Sequence, residues 1–156
     1  MDTMSIRSIL GSLEQFGVSY VIIGGAAMNL HGLPRFTQDL DLFIEPTNDN
    51  IDRLKAALHN IYDDPHIDEI TAADMLGDYP AIQYVPPVGT FYLDLLTRLG
   101  EAFRFEDIET ERVEFQGLIV TVATPSTLFR MKKGPVRPRD WSDAAALKHH
   151  FKIEEE

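Results

Sequence analysis

Cysteine is absent from the 156 residues, so disulfides and thiolate-held metals are excluded. Long apolar runs are missing as well. None approaches the roughly 20 residues that span a bilayer, and the N-terminus carries no signal-peptide pattern. A cytoplasmic protein with no membrane partner is therefore expected. Basic residues are scarce: 14 Lys and Arg stand against 25 Asp and Glu, a net charge of −11. This argues against a general nucleic-acid coat, because neutralising phosphates takes clustered cations. The scarcity is uneven, however. Arg130, Lys132, Lys133, Arg137 and Arg139 lie close together and form one local cationic patch on an acidic body. Such a patch suits an RNA end or the phosphates of a free nucleotide, or is a solvated loop.

What remains is ordinary globular composition, 44% hydrophobic and 25% charged, at a length that is most simply one domain, 1–156. The most informative stretch is 21–46, VIIGGAAMNLHGLPRFTQDLDLFIEP. It reads as an apolar strand, a glycine turn, a short helix over 26–30, a basic loop, and a second strand carrying two aspartates. Side chains repeat every second residue in a strand, so Asp39 and Asp41 leave the same face with Cα atoms roughly 7 Å apart. Two carboxylates so placed repel unless a cation sits between them, and oxygen-ligated Mg²⁺ suits the position. One Asp-x-Asp is expected by chance in a chain this acidic. This pair stands out because Leu40, Leu42, Phe43 and Ile44 surround it, and charge in an apolar run is costly unless paired or metal-bound. Gly24 and Gly25 allow close approach of backbone at the start of the short helix, which makes a phosphate seat. Common turn chemistry is the plainer reading of a Gly-Gly pair.

The order strand, Gly24-Gly25, spacer, Asp39-Leu40-Asp41 resembles the signature of the DNA polymerase β-type nucleotidyltransferase superfamily. The spelling Arg35-x-Thr37-x-Asp39-x-Asp41 looks closer to its small bacterial members, notably the AbiEii-type toxins of toxin–antitoxin pairs. Gly25 stands where many members carry Ser, so a hydroxyl contact to the triphosphate is missing and backbone amides would serve. The resemblance implies a third carboxylate on a neighbouring strand. Asp94, inside Phe91-Tyr92-Leu93-Asp94-Leu95-Leu96, matches it by position and context; an Asp satisfied by backbone donors is the alternative there. The C-terminal wording TPSTLFRMKK…RPRDWSDAAAL is similar to the same members, with Lys132 matching a lysine that neutralises triphosphate charge. Arg139 stands where the family often has Lys, and Asp140 and Asp143 would cap and order the last helix.

Elsewhere the patterns are structural. Ile6, Ile9, Leu10, Leu13 and Phe16 predict an amphipathic helix capped by Ser5 and ended near Gly17. Residues 18–23 predict a central strand. Thr47 to Asn50 offer capping side chains for a helix with Ile51, Leu54, Leu58 and Ile61 inward. A short helix around 72–76, a strand over 81–85, a helix or turn within 101–107, and a hairpin of 113–115 with 118–122 follow. A helix opens at Thr124-Pro125 and a last one runs from Asp140 to about Phe151. His66 beside Asp68 is a weak metal candidate. Arg35 could contact phosphate or neutralise the aspartates, and Arg98 could face the same cleft as Asp94.

The expectation is an α/β (α+β) nucleotidyltransferase fold, a small mixed β-sheet with helices packed mainly on one side. Its segments are the signature at 21–46, the third-carboxylate strand at 91–96 and the C-terminal segment at 125–151. The resemblance implies transfer of a nucleoside monophosphate from an NTP to an acceptor hydroxyl, with release of pyrophosphate. Asp39, Asp41 and Asp94 would be catalytic and hold a two-metal Mg²⁺ site. Gly24, Gly25, Arg35, Thr37 and Lys132 would bind nucleotide. The acceptor is RNA, particularly a tRNA end, or a partner protein, or a small molecule. The chain would be the toxin beside a cognate antitoxin, or an antitoxin that modifies a helical toxin. A homo-oligomer, or a nucleotide-binding module without chemistry, completes the alternatives.

Overall fold

The computed structural model describes residues 3–33, 39–88, 91–98 and 104–132. Ile6, Ile9, Leu10 and Leu13 are all buried along one face of helix α1 (Thr3–Gln15). The helix starts before Ser5, so that residue lies inside its first turn rather than capping it. Gly17 ends it with φ +68°, and Val18 N–H returns to the Leu13 carbonyl, a left-handed stop that glycine enters without a Cβ penalty.

Strand β1 (Tyr20–Ile23) is buried at every position. Sequence patterning starts it at Val18, two residues early, because Ser19 pairs differently: its N–H donates to Asn50 Oδ1 at 2.7 Å. Helix α2 (Gly24–Leu30) follows directly, then β2 (Asp39–Ile44) and α3 (Asn48–Ile61). Thr47 caps α3 as expected, its hydroxyl accepting from Asn50 N–H at 3.1 Å. A 3₁₀ turn (Pro65–Glu69), the single turn α4 (Ala72–Met75), β3 (Ala81–Tyr84) and β4 (Tyr92–Leu96) come next. Phe105–Asp107 is a second 3₁₀ turn, and the hairpin is β5 (Thr110–Phe115) with β6 (Leu118–Ala123). Gln116 and Gly117 both have positive φ at its tip, the hand that closes a two-residue hairpin without splaying the strands. Helix α5 (Pro125–Lys132) carries Pro at its first position, where no N–H is needed. The helix expected over 140–151 lies outside the described residues.

The six strands form one mixed sheet in the order β3-β4-β2-β1-β6-β5. β1 and β6 are parallel, as are β2 and β4; the other neighbours are antiparallel. Strand alternation places Ile22, Leu40, Leu42, Leu93 and Leu95 on one face, all buried. α1 lies on that face, for Ile6 and Leu10 border the same cavity as Ile22 and Leu40. α3 packs beside α1, where Ser12 Oγ donates to the Ala57 carbonyl at 2.7 Å. Each such aliphatic side chain contributes about 1.5–3 kcal/mol by burial. Much of the core therefore forms behind the sheet. The opposite face carries Asp39, Asp41 and Asp94 beside the buried Val21, Ile23 and Phe43.

Candidate active site

β2 lies between β1 and β4, so its register fixes what surrounds each aspartate. Asp41 stands opposite Ile23 on one side and opposite Asp94 on the other, and Asp39 stands opposite Tyr92. Asp39, Asp41 and Asp94 therefore share the open face. All three are half-buried, and each offers a carboxylate oxygen within 4.8 Å of the others. Repulsion between two charges at that spacing is on the order of 3 kcal/mol at an effective dielectric near 20. A hard divalent cation reverses the sign of that interaction. Three carboxylates without nitrogen or sulfur donors suit Mg²⁺ or Mn²⁺ rather than Zn²⁺. The donor set thus fits the metal expected from the sequence.

Gly24 takes part in a way the sequence does not reveal. Its φ is +70°, and a Cβ built there would overlap Asp41 Oδ2 and lie 3.0 Å from Cγ. The missing side chain is thus the space that the Asp41 carboxylate occupies. Gly25 is buried in the first turn of α2, and the residue before the helix, Ile23, supplies no side-chain cap. His31 closes the other end of α2, its Nε2 hydrogen-bonded to the Ala123 carbonyl at 2.8 Å.

Two neighbours of the carboxylates escaped sequence reasoning. Gln83 on β3 stands opposite Asp94, and its Nε2 donates to Asp94 Oδ1 at 3.3 Å. Tyr92, two residues before Asp94 on the same face, is 39% exposed. The polar-apolar alternation of Ile82-Gln83-Tyr84 marks Gln83 as facing away from the core, but only the register identifies its partner. The expectation that Arg98 faces the same cleft is not met. Arg98 lines a separate cavity past the end of β4, which none of the three aspartates borders. His66 and Asp68 do not pair with each other: His66 meets Glu69 at 3.1 Å and Asp68 meets His59 at 2.9 Å. Arg35, Thr37 and the Lys132 side chain lie outside what is described.

The nucleotidyl transferase AbiEii toxin family, described as a Type IV toxin–antitoxin system, matches residues 8–115. The chain belongs to that family. It is a nucleotidyltransferase of the DNA polymerase β-like fold, as the Gly-Gly and Asp-x-Asp pattern led one to expect. Solved structures agree on the architecture. An antigenic nucleotidyltransferase-like protein from Paracoccidioides brasiliensis matches with TM-score 0.60 and 17% identity, over 96% of this chain and 77% of its own. ANT(2″)-Ia, in complex with adenylyl-2″-tobramycin, matches with TM-score 0.58 and 14% identity, over 96% and 88%. The lincosamide antibiotic adenylyltransferase LnuA, lincomycin-bound, gives 0.53 and 15%, over 93% and 95%. No curated protein matches the chain. Among the described residues of this AbiEii-family protein, no helix is long and apolar enough to cross a membrane.

Proposed function

We propose that this AbiEii-family protein transfers a nucleoside monophosphate from an NTP to the 3′-hydroxyl of an RNA, a tRNA end in the first place, as the toxin of a toxin–antitoxin pair. The observation that carries the reading is the cluster of Asp39, Asp41 and Asp94, whose oxygens approach within 4.8 Å of one another on a rigid sheet.

Asp39 and Asp41 would hold the divalent cations, and Asp94 would join them from the parallel strand. Mg²⁺ bound there would offset triphosphate charge and make the acceptor hydroxyl easier to deprotonate. Asp94 accepts the acceptor's proton, and Gln83 fixes which of its oxygens is turned toward the site. The backbone of Gly24 and Gly25, with Lys132, holds the β- and γ-phosphates. Arg35 and Thr37 approach the same nucleotide. The α-phosphorus–oxygen bond to pyrophosphate breaks as the bond to the acceptor oxygen forms, with positioning and charge supplying most of the rate.

The test is transfer of label from each α-³²P NTP, with Mg²⁺, to total RNA and to whole-cell protein, with Asp41→Ala alongside. Label in the tRNA band that disappears in the variant is the expected result. Label on one protein would move the acceptor to a partner and the role to antitoxin. No label on either would overturn the RNA reading and leave a small-molecule acceptor, of the kind bound to ANT(2″)-Ia and LnuA, or a module that binds nucleotide without chemistry.

A further inference from the structure

Six arginine side chains are described, and four are engaged within the protein. Arg7 donates to the Gln116 carbonyl, Arg53 pairs with Asp49, Arg112 pairs with Glu14, and Arg130 reaches the Thr127 hydroxyl. Arg98 and Arg104 are both exposed, and neither has an acidic or carbonyl partner among the described residues. Both line one cavity of about 590 Å³, beyond the end of β4. Guanidinium groups left unpaired in a protein of net charge −11 are conspicuous, because acidic side chains to neutralise them are abundant. The cavity is also partly apolar, with Met75, Pro80 and the half-buried Phe105 in its wall and Glu106 at the same site.

The location matters as much as the charge. Phe105 packs on Phe43 with ring centroids 5.8 Å apart, and Phe43 shares its face of β2 with Asp39 and Asp41. The cavity therefore begins where the carboxylate face ends. Arg98 follows Asp94 by four residues, at most about 13 Å of extended chain. A few nucleotides of single strand can bridge that distance.

We propose that the Arg98–Arg104 cavity holds a phosphodiester and the adjoining base of the acceptor RNA strand, a few nucleotides back from the hydroxyl presented at Asp94. Arginine forks match phosphate oxygens in pairs, and Phe105 with the exposed Leu76 offers the apolar surface a base needs. Glu106 would exclude a second phosphate from the rim and limit the site to one. This inference rests on RNA being the acceptor.

The experiment uses the full chain with both arginines changed, Arg98→Gln/Arg104→Gln, and measures binding of a 5′-labelled single-stranded oligoribonucleotide without NTP across a salt series. Mg²⁺–NTP binding is titrated separately. Neither arginine has an intramolecular partner among the described residues, so the melting temperature should be unchanged. The expected result is RNA binding weakened about tenfold or more per arginine, with a log–log salt slope shallower by about 1.4, two contacts at about 0.7 each. NTP affinity stays as in the wild type. An Arg98→Lys/Arg104→Lys protein should recover the salt slope but not the full affinity. Unchanged RNA binding overturns the proposal, as does a wild type that does not bind the strand. A loss confined to NTP would assign the cavity to the donor and overturn it too. Labelled transfer to tRNA by the wild type judges the acceptor reading independently, so the two can fail separately.

Discussion

The Asp41 carboxylate sits where a side chain on Gly24 would begin: a Cβ there overlaps Oδ2. The glycine and the aspartate are 17 residues apart in sequence and meet because Asp41 pairs with Ile23, the residue before Gly24. The pairing makes Gly24→Ala a local test of the site. Alanine at φ +70° costs about 1–2 kcal/mol of backbone strain, and the new methyl also pushes the carboxylate aside. The expected outcome is a folded protein with a somewhat lower melting temperature and transfer reduced by about 100-fold, the order expected for a misplaced catalytic group. Normal transfer by Gly24→Ala would mean that the seat of Asp41 is not needed.

Three half-buried carboxylates within 4.8 Å repel one another, and a cation that joins them turns that repulsion into attraction. Without metal, Asp41→Asn removes one repelling charge and should raise the melting temperature by a few degrees, equivalent to about 1 kcal/mol. With Mg²⁺ added, the order should reverse. The wild type gains stability by ligand linkage and the variant gains little, while transfer is abolished. Chelation with EDTA should return the wild type to its metal-free melting temperature. A wild type indifferent to Mg²⁺ and Mn²⁺ in such melts would argue against a cation at this cluster.

Local signals were legible where the chemistry is local. The Asp-x-Asp alternation gave one face, the apolar context gave burial, and Thr47 and Pro125 marked helix starts. Asp94 was visible as a charge inside an apolar strand. Its placement opposite Asp41 depends on β2 and β4 pairing in parallel across the whole stretch from Pro46 to Phe91, which no periodicity encodes. The same limit hid Gln83, because a cross-strand partner is defined by register, and it misdirected Arg98, which lies past the end of β4. Val18 and Ser19 look like strand in sequence, yet the Ser19 amide is taken by Asn50. Gly24 read as turn chemistry because its real constraint is a contact with a distant side chain.

Gln83 offers a second handle on Asp94. Its 3.3 Å hydrogen bond is long and partly exposed, so its net worth is about 0.5–1.5 kcal/mol. Gln83→Ala should lower kcat by about three- to tenfold, leave KM for NTP unchanged, and leave the melting temperature where it was. A fall confined to KM would place Gln83 in nucleotide binding instead of in the orientation of Asp94.

Asn50 is a buried polar side chain with three hydrogen bonds to backbone. It is 3% exposed; Oδ1 accepts from Ser19 N–H at 2.7 Å, and Nδ2 donates to the carbonyls of Ser19 and Glu45 at 2.9 and 3.0 Å. The side chain thus ties the entry of β1 to the exit of β2, the two strands that set Gly24 against Asp41. Asn50→Ala leaves the Ser19 N–H without a partner and strips one of two hydrogen bonds from each of the Ser19 and Glu45 carbonyls, which also accept from the N–H groups of Glu45 and Thr47. The change should cost about 3 kcal/mol. Urea denaturation would read this as a lower midpoint at an unchanged slope. A variant within 0.5 kcal/mol, the usual range for a surface substitution, would mean that water replaces the amide.

Asp64 and Tyr84 set how stability depends on pH. Tyr84 Oη donates to Asp64 Oδ2 at 2.7 Å, and His66 N–H donates to Oδ1 at 3.0 Å. These bonds, the tyrosine's first, hold the Asp64 carboxyl below its ordinary 3.8. Burial, with the hydrogen bond to Asp64, pushes the Tyr84 phenol above its ordinary 10.0. A depressed acid contributes stability that is present above the unfolded value and is lost as pH falls through the folded one. A raised phenol contributes stability that is present below its unfolded value and is lost as pH rises through the folded one. The pair's contribution is therefore full between about pH 4 and pH 10 and declines outside that window. Tyr84→Phe removes the shared bond and should lower the melting temperature at neutral pH, with the gap to wild type narrowing below pH 4. A gap that stayed constant from pH 7 down to pH 2 would mean that the loss is one of packing, and that the hydrogen bond to Asp64 contributes nothing of its own.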